Sequence, residues 1–233
     1  MARDAWHDQR FAEEWDEAGN LYTNPDRLNQ LSLLADLLAA NGATQLLDLG
    51  IGSAQVESAI KRQHPDYFNR CRVTGIDASA AMLELAQQRC KADDLSRIEL
   101  LQSDFDSLET ISLSEPPDAV ICVQALHEVP HEVKQSLFAW VRARLPAGRP
   151  FFILDRFVYP TGPSLEDWRA IWNWMRARVQ ADVLDFEEYH RQYSAKADHI
   201  ASVEDYRAWL GEAGFDTTCP YRCFNRALIV ARC

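Results

Sequence analysis

Leu46-Leu47-Asp48-Leu49-Gly50-Ile51-Gly52-Ser53-Ala54 decides how this chain is read. An apolar run with an acid near its end breaks at two glycines and passes into a helix-like segment. Glycine at position 50 lets the backbone turn sharply, and glycine at position 52 removes a Cβ that would block a ligand. Amides exposed where the next helix starts favour ligand oxygen or negative charge. The combination predicts a crevice for a nucleoside-bearing ligand at the carboxyl end of a parallel strand. A plain strand-to-helix turn has the same outline, so the following segments must discriminate.

Dinucleotide loops need a third glycine three residues after the second, and Gln55 stands there. Cys71 to Asp77 reads as a second strand ending in an acid, 29 residues after Asp48. That interval leaves room for one crossover helix, Ser53 to about His64. A carboxylate at such a strand end can accept both hydroxyls of a ribose. Ile98 to Gln102 is a third apolar run, closed by Ser103-Asp104-Phe105. Acids at three successive strand ends, in this order, carry more weight than any one of them.

These stretches resemble class I S-adenosylmethionine (SAM) dependent methyltransferases. Apolar-apolar-Asp-x-Gly-x-Gly is similar to the first motif of that family, and Asp77-Ala78-Ser79-Ala80-Ala81-Met82-Leu83 to its D-x-S-x-x-M-L continuation. SAM has an amino-acid end and a sulfonium but no phosphate, so Asp48 can sit beneath it without repulsion. The resemblance implies SAM as cofactor, held by Asp48, Gly50, Gly52, Asp77, Ala78, Met82, Asp104, Phe105 and Gln124. In the family the Met packs on the adenine and the third acid takes its amino group. Met82 fits equally well as an inward helix position. Tyr22 and Arg27 occupy places where similar enzymes cover the methionine end; a solvated helix face is the alternative for Arg27. Val203 to Phe215 resembles the x-x-L-L-x-x-A-G-F stretch of small-molecule members. The match spans residues 45 to 156 and 199 to 232.

Composition fits a cytoplasmic enzyme. A chain of 233 residues suits one domain with a full core. A formal charge of −11 argues against a nucleic-acid surface. No apolar stretch approaches about 20 residues, so no membrane span is expected. The first residues lack the apolar core of a signal peptide. The six cysteines are scattered, with Cys71 and Cys122 in strand patterns, and no second Cys or His pair beside Cys219 and Cys223 completes a metal site.

Residues 1 to about 20 read as an amphipathic helix with Trp6, Phe11 and Trp15, a cap on the body that also offers a homodimer contact. Asn24 as cap and Pro25 as first helical residue open the next helix. Leu28, Leu31, Leu34, Ala35 and Leu38 give its apolar face, and Gly42 stops it. Ala119 to Val123 is a fourth strand, buried on both faces. Val133 to Leu145 is a helix and Phe151 to Leu154 a fifth strand. Phe215 to Cys219 and Ala227 to Val230 look like two more. Alternating strands and helices predict an α/β, doubly wound, mostly parallel sheet. The family resemblance implies seven strands, the last inserted antiparallel.

The divisions are an N-terminal helical cap, residues 1–44, and a helical lid insert after the fifth strand, residues 157–198. Leu165, Trp168, Ile171, Trp172, Met175 and Val179 recur there at helical spacing. As a lid the insert would roof the carboxyl ends of the strands, with Trp168 and Trp172 on the substrate; as core the same stripe would glue it to the body.

Gln124-Ala125-Leu126-His127-Glu128-Val129-Pro130 follows the fourth strand. His127 is the candidate general base, because imidazole titrates near neutral pH, and Glu128 is the second choice. Helix capping or a pocket wall is the other reading of His127. Arg156 offers a bidentate grip on a substrate carboxylate, or else a surface ion pair with Asp155. His199 could reach the same pocket from the far hinge of the insert. Methyl transfer to an O or N of a small organic molecule is the leading expectation. A nicotinamide oxidoreductase is disfavoured by Gln55 and by the lack of a Tyr-x-x-x-Lys pair. A SAM-binding, non-catalytic regulatory protein is the third possibility.

Overall fold

The computed structural model describes residues 3–16, 20–90, 94, 96–194 and 199–233. The strands are β1 Gln45–Leu49, β2 Arg72–Asp77, β3 Ile98–Gln102, β4 Ala119–Val123, β5 Pro150–Arg156, β6 Asp216–Cys223 and β7 Arg226–Arg232. They form one seven-stranded sheet in the order β3-β2-β1-β4-β5-β7-β6. All neighbouring pairs are parallel except β5–β7 and β6–β7. The order reverses between β1 and β4, which opens a crevice outside their carboxyl ends. This is the α/β architecture expected, with the last strand inserted antiparallel.

Flanking helices are α1 Gln9–Glu14, α2 Arg27–Asn41, α3 Gln55–Gln63, α4 Ala80–Arg89, α5 His131–Arg144, α6 Leu165–Arg176, α7 Phe186–Ser194 and α8 Val203–Glu212. Strand alternation splits the core in two. Leu46, Val73, Ile121, Phe152 and Leu228 pack under α2 and α3 on one face. Leu47, Val120, Ile153 and Ile229 pack under α5 and α8 on the other. β4 belongs to both and is buried throughout.

Three local expectations are corrected. Helix α2 starts at Arg27 rather than Pro25, with Asp26 as N-cap and no side-chain cap bond. Asn24 is buried instead, and its amide donates to Gln30 Oε1 at 2.8 Å. The later start turns Leu28 outward, 51% exposed, while Arg27 and Gln30 turn in. The N-terminal segment is not one helix: a 3-10 turn at Arg3–His7 precedes α1, and residues 1–2 and 17–19 of that expectation lie outside the described residues.

The third correction concerns the insert, whose residues 195–198 also lie outside the described residues. Trp168 and Trp172 are buried among other rings rather than lining the cavity beside the glycine turn. They join Met175, Leu184, Phe186 and Tyr189 in a separate aromatic core built around Phe224 at the β6–β7 turn. Trp172 stacks on Tyr189 with ring centroids 4.1 Å apart, and its Nε1–H donates to the Leu184 carbonyl at 2.8 Å. A ring with its polar atom satisfied internally is a packing element.

Gly75 in β2 shows how tightly the sheet grips the glycine turn: a Cβ there would stand 2.3 Å from Ile51 Cδ1 and 3.1 Å from Ile51 Cβ. Gly75→Ala is therefore expected to cost about 1–3 kcal/mol, read as a lower Tm. Ile51→Ala in the same chain should return part of the loss; strictly additive effects would show that the two residues do not press on each other.

Candidate active site

The loop after β1 is folded by its own glycines and tied to β2. Gly50 and Gly52 have φ of 78° and 55°, and non-glycine Ala54 is also left-handed at 58°. A Cβ on Gly50 would meet Ala125 Cβ at 2.5 Å, whereas one on Gly52 would meet nothing within 4 Å. Gly50 therefore serves packing, and Gly52 serves the turn and the open space beside it. The Gly50 and Ile51 amides donate to the Ile76 carbonyl at 2.7 and 3.1 Å. The Gly52 amide donates to Asp77 Oδ2 at 2.9 Å, and the Ser79 amide to Asp77 Oδ1 at 2.9 Å. Asp77 is thus aimed by two amides, and each oxygen keeps accepting capacity for a ligand hydroxyl.

Around this loop lies a cavity of about 340 Å³, within the range of small-molecule sites. Asp48, Gly50, Gly52, Asp77 and Ala78 form its floor, with Arg27 at one end. Met82, Asp104, Phe105, Gln124 and Glu128 complete the expected set. Gln124 holds a left-handed backbone at φ 53°, and its amide donates to the Leu154 carbonyl, which fixes the turn after β4.

Other expected residues lie elsewhere. Tyr22 packs against the aromatic core of the insert, and its carbonyl accepts from the Leu184 amide. His199 is exposed beside His131, ring centroids 6.3 Å apart, and its carbonyl accepts from Lys134 Nζ. Arg156 is buried rather than at the surface; its guanidinium sits 4.4 Å from the Tyr193 ring centroid, and Asp155 takes its backbone amide, not its side chain. His127 does not line the cavity: its Nδ1 is 2.6 Å from Asp155 Oδ1, and its Nε2 is 3.5 Å from Glu128 Oε1. Glu128, the second choice, is the group on the wall.

Sequence reasoning missed the cover. Trp6, His7 and Trp15 line the cavity, with Trp6 and Trp15 edge to face at 5.3 Å. The Trp6 and Trp15 rings are therefore turned toward the cavity. Asp16 fastens this segment: it accepts from Ser53 Oγ at 2.5 Å and Gln55 Nε2 at 2.9 Å, and it pairs with Arg89. Ser79 Oγ donates to the Trp6 carbonyl on the other side. An aromatic-plus-acid pattern preceding the first strand was the only signal available.

Sequence reasoning also missed Glu57. It is buried on α3 against Asp48, and among the described residues neither carboxyl meets a hydrogen-bond donor. Two buried carboxyl groups without donors hold a proton between them. Burial, then the neighbouring Glu57, pushes Asp48 well above the usual carboxylate range. Burial raises Glu57 from 4.5 to about 7. Asp77 is also raised, by burial, against the pull of its amide partners.

A site lined by Asp48, Asp77, Asp104 and Glu128, with Arg27 its one arginine among the described residues, repels a diphosphate and suits a ligand carrying positive charge. Gln55 lies on the wall where a pyrophosphate would need glycine. The donor-poor Asp48–Glu57 pair and the space beside Gly52 both fit SAM, with its sulfonium and ammonium.

In the absence of ligand, the raised Glu57 gives the folded state the tighter grip on a proton. Stability then falls as pH rises from about 4.5 through about 7. Glu57→Gln, which puts a donor opposite Asp48, should raise Tm at pH 8 and flatten that fall. At this chain length each kcal/mol moves Tm by about 2–4 °C. Parallel melting curves for variant and wild type would count against the shared proton.

Residues 46–148 match the family model described as a methyltransferase domain. A carboxy-S-adenosyl-L-methionine synthase of Stutzerimonas stutzeri (strain A1501) is 25% identical over 192 residues, 81% of this chain and 76% of that protein. A ubiquinone biosynthesis O-methyltransferase of Histophilus somni (strain 2336) is 28% identical over 149 residues, 62% of this chain and 59% of that one. The solved structure of an O-methyltransferase family protein from Burkholderia thailandensis shares the fold, with a TM-score of 0.64 and 15% identity over 98% of this chain. This chain spans 61% of the length of that protein. Solved structures of the same fold hold SAM or S-adenosylhomocysteine. With the glycine turn, the acids at the strand ends and the strand order agreeing, residues 46–148 form a methyltransferase domain on the fold of the class I SAM-dependent methyltransferases, enzymes whose cofactor is SAM.

Proposed function

We propose that this enzyme methylates an oxygen of a small organic molecule, with Glu128 taking the proton that the oxygen gives up. The observation that carries this reading is the chain of groups Glu128, His127 and Asp155. Glu128 lies on the cavity wall, His127 Nε2 is 3.5 Å behind it, and His127 Nδ1 is 2.6 Å from buried Asp155. Bound SAM supplies a methyl on an excellent leaving group, so the protein contributes alignment and proton removal.

Asp155 does its part as a charged group. Burial alone would raise it, but His127, the Arg156 amide and Lys134 together outweigh burial and keep the carboxyl below its usual range. It fixes the His127 tautomer with hydrogen on Nδ1, which leaves Nε2 to accept from Glu128 once that carboxyl is protonated. As the acceptor oxygen took the methyl group that SAM would supply, leaving S-adenosylhomocysteine, its proton would pass to Glu128. In the same reading Asp77 holds the ribose, Met82, Asp104 and Phe105 surround the adenine, and Arg27 pairs with the methionine carboxylate. The partner is a small molecule, approached from the side of Glu128.

A second reading is favoured by one finding. The relative named carboxy-SAM synthase aligns over 81% of this chain, the named O-methyltransferase over 62%. On that reading the product is carboxy-SAM itself. Mass spectrometry of SAM incubated with the protein and a panel of phenols, hydroxy acids and amines separates the two. S-adenosylhomocysteine with a methylated acceptor supports methyl transfer, and a carboxylated cofactor overturns it.

Glu128→Gln should lower kcat by about 10²–10⁴-fold while SAM affinity holds, the range of a positioned acid–base group. Retained turnover would remove Glu128 from the chemistry. Asp77→Ala should weaken SAM binding about tenfold or more in calorimetry, through loss of charge-assisted hydrogen bonds; an unchanged Kd would place the ribose elsewhere.

A further inference from the structure

Strands β5 and β7 bring two arginines face to face. Arg156 and Arg226 are direct partners in the antiparallel register, both buried. Like charges directly opposite on neighbouring strands oppose pairing, and burial sharpens the cost. A third buried arginine, Arg27 at the start of α2, is close enough that Arg226, after burial, helps lower its pKa to about 10.

The local hydrogen bonds leave much of the charge on Arg226 and Arg27 unanswered. Arg226 Nη1 donates to Asn225 Oδ1 at 2.7 Å and to Tyr189 OH at 3.3 Å, and Nη2 to the Thr23 carbonyl at 3.5 Å, all neutral acceptors. Its buried Nε has no partner. Arg27 Nη2 donates to Gln55 Oε1 at 3.3 Å, while its Nε and Nη1 have none. The buried Tyr159 hydroxyl from the start of the insert has none either. Tyr159 and Tyr189, the latter touched by Arg226, both pack on the Phe224 ring with centroids 5.2 and 5.6 Å away, so these donors share one neighbourhood.

Among the described residues, neither Asp155 nor Asp48 satisfies the open donors of Arg226 and Arg27. Asp155 is engaged with His127 and the Arg156 amide, and Asp48 shares its environment with Glu57. Among the described residues no carboxylate forms an ion pair with Arg27 or Arg226. Buried guanidinium groups with free N–H donors, beside a free phenol, are the recognition chemistry of an oxyanion.

We propose that Arg226 and Tyr159, flanked by Arg156 and Arg27, form a subsite for the carboxylate of the second substrate, between the cofactor cavity and the insert. The proposal deepens the reading above by naming the class of substrate, a small carboxylic acid. It transfers the carboxylate grip expected of Arg156 to its cross-strand partner. The insert then contributes through Tyr159 and the packing that seats Arg226, rather than through Trp168 and Trp172.

Both SAM and an acid substrate carry a carboxylate, so the test separates the two sources. Calorimetry on the full chain would use SAM and decarboxylated SAM. With S-adenosylhomocysteine bound, it would then use acetate, benzoate and 4-hydroxybenzoate, each against its amide. Wild type should bind at least one acid tenfold or more tightly than its amide. Arg226→Gln should abolish that preference, leaving both SAM affinities unchanged, and Arg226→Lys should keep part of it. No acid preferred over its amide in wild type would overturn the subsite, as would a preference that survives Arg226→Gln. Weakened binding of SAM but not of decarboxylated SAM in Arg226→Gln would overturn it too, by giving the arginine to the cofactor. Should Arg226→Gln not fold, Tyr159→Phe replaces it, with a smaller loss of the same preference expected and no loss overturning the site. Methyl transfer itself is read from S-adenosylhomocysteine formation, so that reading can stand where the subsite falls.

Discussion

Three backbone amides hold the molecule's function together. Those of Gly50 and Ile51 share the Ile76 carbonyl, and that of Gly52 reaches the Asp77 carboxylate. The end of β2 therefore completes the turn after β1, and the turn in turn aims the acid. Ile51 fills the space left by Gly75, so the latch is packed as well as bonded. A side chain at 50 or a Cβ at 75 would push two neighbouring strand ends apart. The cavity, the acids around it and the helix that follows all depend on this junction.

Charge is sorted along the carboxyl edge of the sheet. The β1–β3 side carries Asp48, Asp77 and Asp104, and the β5–β7 side carries Arg156 and Arg226. Glu128 lies in the turn after β4, between the two. The acidic side suits a sulfonium cofactor, and the arginine pair, beside Asp155, suits a ligand of negative charge. The arrangement is costly without ligands, because buried like charges repel and donors of Arg27 and Arg226 stand idle. Ligands of the right sign relieve that cost, which is a physical route to selectivity.

The sheet was legible because strands buried on both faces are nearly all apolar. β3 and β4 match the expected bounds residue for residue, and the acids at β1, β2 and β3 fall at strand ends as read. Most of the cofactor wall follows from those ends, since they are fixed by local chain geometry. The reading failed where position depends on distant packing. Tyr22 was placed by the family resemblance and the two tryptophans by their insert's position after the fifth strand, yet Phe224 from the β6–β7 turn draws the insert into a core of its own. Apolar rings at helical spacing look the same whether they face a ligand or another ring.

The sequence by itself determined the glycine turn, the strand ends and the acids they carry, because a few adjacent residues settle each of them. Tertiary structure alone decided that Glu128 rather than His127 faces the cavity, that Trp6 and Trp15 close it, and that Glu57 lies against Asp48. It also set Arg226 opposite Arg156. Those pairings join segments far apart in the chain, and only the burial of both partners in one fold brings their charges and rings within reach.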